Sequence, residues 1–345
     1  MKDEPIRTAD FDYDLPPELI AQTPCLARGA SRLLLVDGDD GTLADRRFSE
    51  LVDLIPPADL LVLNSTKVRH ARLLGQRGSG APAEVLLIHP STDDTWVAMG
   101  QPGSALKPGK RITLGEGFEI ETVEILAGPN RRVRFHGGSA AEAMSRFGQL
   151  PLPPYIDRAP DLADEERYQT VYADRAASVA APTAGLHFTT ELLERLAARG
   201  VRIEYLDLEV GPGTFRPVEA PDPRDHPMHR ESFDIPATLA TGFAATRQAG
   251  GRIWAVGTTV VRALESAIQP DRTLRIGLQA TDLLIVPGFE FRAVDRLITN
   301  FHLPRSTLLM LVSAFGGVAT TRAAYRHAIA QRYRFYSYGD AMLIR

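Results

Sequence analysis

The spacing of apolar positions changes twice along the chain. Ser31-Arg-Leu-Leu-Leu-Val-Asp37 and Asp59-Leu-Leu-Val-Leu-Asn64 are short unbroken apolar runs closed by polar residues, which predicts strands buried on both faces at the start of an α/β layer. Between about 69 and 138 six short runs follow one another, at 72–76, 83–89, 96–99, 111–114, 118–126 and 131–135. No helical period separates them, which predicts a small all-β barrel. Leu150-Pro-Leu-Pro-Pro-Tyr-Ile-Asp157 carries three prolines, whose fixed φ and missing N–H exclude a helix, so it reads as an extended connector. Beyond it the two periods alternate, with helices expected at 190–199, 236–249, 260–268, 306–315 and 321–333 and strands at 202–210, 253–256 and 282–286. The expected fold is a mixed-sheet α/β domain of residues 1–67 and 151–345 into which a six-stranded all-β barrel domain, residues 68–150, is inserted.

Composition narrows the function classes. With 44% hydrophobic and 24% charged residues over 345 positions, the chain is an ordinary globular one with room for two domains. Cys25 is the only cysteine, so an intrachain disulfide and a cysteine-based metal cluster are excluded and a reducing compartment is expected. The N-terminal stretch is acidic and lacks the apolar core of a signal peptide, and no run reaches the length a bilayer needs. A cytoplasmic protein with no membrane association is expected. The net charge of −4 argues against binding nucleic acid by bulk charge, so any RNA contact is local. Only four of the 39 basic residues are lysine. Arginine's planar fork suits phosphate, with coding bias as the competing explanation.

Candidate chemistry gathers in loops at strand ends. The strand expected at 253–256 runs into Gly257-Thr258-Thr259 and then a helix, which aims backbone N–H groups and two hydroxyls at whatever lies above; a capped helix start is the competing reading. Two other loops share this character: Ala180-Ala-Pro-Thr183-Ala-Gly185-Leu-His187-Phe-Thr and Glu209-Val-Gly211-Pro-Gly213-Thr214-Phe215. Ligands of open α/β sheets bind beyond the carboxyl ends of strands, so three such loops suggest one shared pocket for a large polar ligand. The dinucleotide and nucleoside-triphosphate fingerprints are absent, which removes weight from redox and ATP chemistry. Asp225-His226-Pro-Met-His229-Arg-Glu231 has metal-like spacing interrupted by Pro227, and no metal is assigned to it. In Asn300-Phe-His302-Leu-Pro-Arg-Ser306 the polar residues precede an apolar helix and suit either a base or ribose contact or a capping network.

At these residues the sequence resembles a known family. Phe11-Asp-Tyr-Asp-Leu-Pro, Leu150-Pro-Leu-Pro-Pro-Tyr-Ile, Tyr168-Gln-Thr-Val-Tyr172, Val179-Ala-Ala-Pro-Thr-Ala-Gly-Leu-His-Phe188, Ala255-Val-Gly-Thr-Thr259, Thr299-Asn-Phe-His-Leu-Pro304 and Tyr338-Gly-Asp-Ala-Met342 are similar, nearly end to end, to the S-adenosylmethionine:tRNA ribosyltransferase-isomerases of queuosine biosynthesis. The resemblance implies that the amine of 7-aminomethyl-7-deazaguanine at the tRNA wobble position takes the ribosyl carbons of S-adenosylmethionine, giving epoxyqueuosine and releasing adenine and methionine. It implies a monomer, with S-adenosylmethionine and tRNA as partners and no metal or redox cofactor.

By matching motifs, His187, His229 and His302 become candidate proton carriers or hydrogen-bond partners, joined by Glu209. Thr183, Gly185, Gly211, Gly213, Thr214, Gly257, Thr258, Thr259, Arg262, Asn300 and Ser306 become candidate substrate contacts. Thr258 and Thr259 are expected to hold the methionine carboxylate and Asn300 the adenine or ribose. Lys67, Arg69 and Arg72 are candidates for anticodon-loop phosphates. The chain departs from the family pattern at Glu209, where histidine is expected, at Ser65, Lys67 and His70, and over Gly100-Gln-Pro-Gly-Ser-Ala105. A carboxylate at Glu209 suits pairing with a sulfonium or an amine. The alternative readings are an S-adenosylmethionine-dependent RNA methyltransferase and a non-catalytic tRNA-binding protein.

Overall fold

The computed structural model describes residues 6–38, 40–215 and 217–345, with the side chains of Thr214 and Phe215 outside the description. Nine strands form one mixed sheet. Its centre holds Arg202–Leu208, Leu60–Asn64, Ile253–Val256 and Arg296–Asn300 side by side and parallel, so their carboxyl ends share one rim. Ala341–Ile344 then runs antiparallel to Arg296–Asn300 and parallel to Arg32–Val36, joining the two halves of the sheet. Because successive side chains alternate between faces, each buried strand feeds two cores. Leu34, Leu60, Val62, Leu206, Ala255 and Leu297 pack under the helices Ala237–Gln248, Thr258–Ala267, Thr307–Gly316 and Val318–Ala330. Leu33, Leu61, Leu63, Trp254, Val256 and Ile298 face the other way, against Leu51, Val52, Leu192 and Leu196.

The second sheet is a closed antiparallel barrel of Arg72–Arg77, Pro82–Pro90, Thr95–Gln101, Arg131–His136, Phe118–Ile125 and Arg111–Gly115, with the last strand returning to the first through Gln76↔Thr113 and Arg77↔Ile112. Closure brings the Thr113 carbonyl so near Gly75 that a Cβ there would overlap it, which explains a glycine in mid-strand. The barrel is filled by Leu73, Val85, Leu87, Ala98, Ile112, Ile120 and Val133. All six expected barrel strands are present, each within two residues of its expected ends.

Three expectations need correction. The barrel segment does contain a helix, Ala140–Phe147, started by the Ser139 capping box with Glu142, followed by Gly148–Gln149 pairing with Arg72 and Leu73. The run 282–286 is not a strand; the ladder is made one segment earlier by Gly277–Thr281, on the sheet edge beside Glu231–Ile235. Buried Arg262 donates to the Leu283 carbonyl, so that part of the run serves a side chain instead of a strand. Thirdly, two helices are shifted: that expected from 260 begins at Thr258, directly after Gly257, and that expected at 321–333 runs Val318–Ala330. No single helix among the described residues is long and apolar enough to cross a membrane.

Candidate active site

The common rim of the four central parallel strands carries the site. Val256 is followed by Gly257 at φ 93°, a conformation that favours glycine, and the helix Thr258–Ala267 starts immediately. Gly257 has no side chain to cap that start, so the first-turn N–H groups point out uncapped. Next to it in the sheet, Arg296–Asn300 ends in Asn300, and the Gly257 N–H donates to the Ile298 carbonyl at 2.8 Å, which locks the two strand ends together. Thr183 and Ala184 approach from the loop after Ala176–Ser178. These segments form a recess lined by Thr183, Ala184, Gly257, Thr258, Thr259, Asn300 and His302. Tyr155, Leu303, Leu308, Tyr336 and Ser337 complete its wall; sequence reasoning did not single these out, although two of the motif blocks run through Tyr155 and Leu303.

The polar side chains here are buried and mostly engaged. His187 is 5% exposed, stacks on Phe48 with ring centroids 4.9 Å apart, meets Ser31 Oγ through Nδ1 at 2.7 Å, and receives the Asn300 amide on Nε2 at 3.1 Å. Burial holds its pKa down at about 4, so it is neutral near pH 7. His302 is 8% exposed, pairs Nε2 with Thr299 Oγ1 at 2.7 Å, and is pushed by burial to about 3. Neither ring carries an imidazolium proton at neutral pH, so each offers one N–H and one acceptor nitrogen and neither is a ready-made general acid. Two atoms are left over. Asn300 Oδ1 and Thr259 Oγ1 are buried without a partner, which is costly unless a ligand supplies one.

Other candidates lie elsewhere. Glu209, Gly211, Gly213 and His229 line a second, larger recess of about 1350 Å³, between the sheet edge and barrel residues including His89, Met99 and Asn130; Val210 borders both recesses. His229 is exposed, and a Cβ on Gly213 would overlap its ring, so the glycine keeps that position open. Glu209 pairs with Arg175 at 3.2 Å. Thr214 belongs to the same turn, its side chain outside the description. Arg262 is buried beneath this loop, paired with Glu231, which also accepts the Gly211 N–H at 3.3 Å. Gly185 is required by the Tyr172 hydroxyl packed against it. Ser306 is committed as a helix cap, accepting from Leu309 N at 3.2 Å and donating to the Leu303 carbonyl at 2.7 Å.

The three basic candidates differ too. Lys67 is exposed. Arg69 donates to the barrel carbonyl of Ile88 at 2.8 Å and to that of Ala177, and lies over the Trp96 ring at 5.2 Å, which ties the barrel to Ala176–Ser178, a short strand paired with Lys67–Val68. Arg72 is paired with Glu84 at 2.8 Å across neighbouring barrel strands. Among the described residues no group of three or more His, Cys, Asp or Glu is arranged to hold a metal ion.

Comparison with known proteins gives one answer throughout. Residues 8–344 match the family described as queuosine biosynthesis protein. The S-adenosylmethionine:tRNA ribosyltransferase-isomerase of Symbiobacterium thermophilum is 52% identical over 98% of this chain and all of its own length, and that of Azoarcus sp. is 52% identical over 97% of this chain and 96% of its own. The crystal structure of the S-adenosylmethionine tRNA ribosyltransferase of Thermotoga maritima is 36% identical, covers 97% of this chain and 100% of that one, and superposes with a TM-score of 0.57. Matched over nearly its whole length in sequence and in fold, the chain belongs to the family of S-adenosylmethionine:tRNA ribosyltransferase-isomerases of queuosine biosynthesis.

Proposed function

We propose that the protein transfers the ribosyl moiety of S-adenosylmethionine to 7-aminomethyl-7-deazaguanine at the tRNA wobble position, forming epoxyqueuosine and releasing adenine and methionine. The observation that carries this reading, beside family membership, is the recess at the strand rim with its uncapped helix start and two unpartnered buried atoms, Asn300 Oδ1 and Thr259 Oγ1. A sulfonium nucleoside has the donors and the carboxylate such a recess lacks. The second recess shares Val210 with the first and opens beside the barrel, so a base presented by RNA reaches the same chemistry from the other side.

The reaction asks for a neutral attacking amine, help for departing adenine, and shielding of the sulfonium. The neutral, buried rings of His187 and His302 place no positive charge near the sulfonium, and exposed His229, with Glu209, faces the recess from which the amine arrives. The protein is taken to work as a cytoplasmic monomer without metal or redox cofactor, with residues 1–67 and 151–345 carrying the chemistry and 68–150 the barrel; of the three basic candidates, exposed Lys67 is the one offered to RNA phosphate.

Incubation with labelled S-adenosylmethionine and tRNA bearing the aminomethyl base, followed by nucleoside mass, tests the function. Free adenine, free methionine and a nucleoside carrying the ribosyl-derived carbons are expected. Appearance of S-adenosylhomocysteine would establish the methyltransferase instead, and binding of tRNA without consumption of S-adenosylmethionine would leave a binding protein.

A further inference from the structure

The orientation of one buried amide decides what the rim recess recognises. The Asn300 Nδ2 group faces three acceptors: the Tyr336 carbonyl at 3.1 Å, the Asp340 carbonyl at 3.4 Å and His187 Nε2 at 3.1 Å. Turning the amide over would set Oδ1 against two carbonyl oxygens, so the amide is fixed with its NH₂ inward and Oδ1 unpartnered. The same geometry fixes the His187 tautomer. Its Nε2 accepts, so its proton sits on Nδ1 and donates to Ser31 Oγ. Asn300 is 2% exposed and is one of the residues lining the recess, so the only valence its amide has free for an occupant is an acceptor.

On the adjacent strand end stand the uncapped helix start of Thr258 and Thr259 and the unpartnered Thr259 hydroxyl, a seat for an anion. Neighbouring strands lie about 4.8 Å apart, and Val256 is paired with Ile298, so the anion seat and the acceptor leave the sheet side by side. An anion beside an N–H donor is the signature of an α-amino acid. Adenine offers the donor but no anion.

We propose that this recess is the amino-acid subsite of the sulfonium co-substrate: Thr258 and Thr259 take the α-carboxylate, Asn300 Oδ1 takes the α-ammonium, and His187 with Ser31 are positioning residues that hold the Asn300 amide the right way round. Tyr155, Leu303, Leu308 and Tyr336 then surround the apolar part of the methionine chain. The proposal rests on the transferase reading above, and assigns Asn300 to the amino-acid end, away from adenine or ribose.

The test uses the intact protein, with L-methionine, 4-(methylthio)butanoate, which lacks the amine, and 3-(methylthio)propylamine, which lacks the carboxylate, as competitors of S-adenosylmethionine in the adenine-release assay. L-Methionine is expected to compete, and each truncated compound to bind roughly tenfold or more weakly, the worth of one charge-assisted hydrogen bond. Equal inhibition by methionine and the amine-free compound overturns the assignment of Asn300. His187→Phe, which keeps the ring on Phe48 and removes the acceptor, is expected to raise KM for S-adenosylmethionine about tenfold with a smaller change in kcat, and His187→Gln, which restores an acceptor, to recover most of it. If His187→Phe does not fold, Ser31→Ala, which releases the tautomer, is expected to raise KM in the same direction. An unchanged KM in the folded variant, or a glutamine variant no better than phenylalanine, overturns the positioning role. If the wild-type protein releases no adenine at all, the transferase reading fails; calorimetric titration of methionine and the two truncated compounds then still decides the subsite.

Discussion

The two recesses on either side of Val210 are built on opposite principles. In the rim recess the polar side chains are mostly buried and tied to the fold, both histidines are neutral, and what is left unsatisfied is two side-chain oxygen atoms and the uncapped N–H groups of one helix start. In the recess beside the barrel Glu209, His229 and the glycine turn are solvated, and its walls come from two different sheets. The first is organised before its ligand arrives, which limits the ordering cost of binding a small molecule. The second is assembled across two structural units, as suits a ligand that arrives on a macromolecule.

The largest effect that sharpens this contrast is expected from Asn300→Leu. It removes the acceptor and the three inward hydrogen bonds together, and kcat/KM for S-adenosylmethionine should fall by about a hundredfold or more, whereas His229→Ala should leave S-adenosylmethionine binding within about threefold and act on the tRNA-dependent step. If both variants weaken S-adenosylmethionine binding equally, the division of labour is wrong.

Next comes acid sensitivity. His187 and His302 have folded pKa values below the ordinary 6.5, so the unfolded chain takes up protons first. Their contribution is whole above about pH 6.5 and is lost as pH falls towards 4 for His187 and towards 3 for His302. The unfolding free energy from denaturant titration should drop over that window by an amount of order 3 kcal/mol for His187 alone, and a His187→Gln variant should show a shallower fall. Smaller again, Arg69→Ala should cost about 2 kcal/mol and loosen the junction between the sheets, seen as faster hydrogen exchange around Ala177, while Arg72→Ala, which breaks a partly exposed pair, should cost less than about 1 kcal/mol. Ser306→Ala, the loss of one helix cap, should cost about 1 kcal/mol and leave KM unchanged.

Most of the scaffold was legible from period alone. Runs such as Leu60–Asn64 and the six barrel strands alternate or stay apolar over a strand's length, which local chemistry dictates. Arg296–Asn300 and Ala341–Ile344 were not singled out, since each is short and takes its strand character from neighbours distant in sequence. The Ser139-Ala-Ala-Glu142 capping box was a local signal for the barrel helix and was passed over among strand patterns. At the site, the Gly and Thr turns announced themselves. What could not be read is which polar atom remains without a partner: Ser306 and Asn300 sit six residues apart in one motif, yet one hydroxyl is consumed by its own helix and the other residue keeps a buried oxygen unpartnered. That difference is set by the Tyr336 and Asp340 carbonyls, which only the assembled sheet brings near.

Ala341–Ile344 is the splice between the two halves of the large sheet, hydrogen-bonded to Arg296–Asn300 on one side and to Arg32–Val36 on the other. Until residues 341–344 have been made, Arg32–Val36 pairs only with Leu43–Arg47 and its other edge stays open. A chain cut short before residue 340 yields a two-strand piece and a six-strand piece with no ladder between them, and its Asn300 amide loses the Asp340 carbonyl that helps hold it.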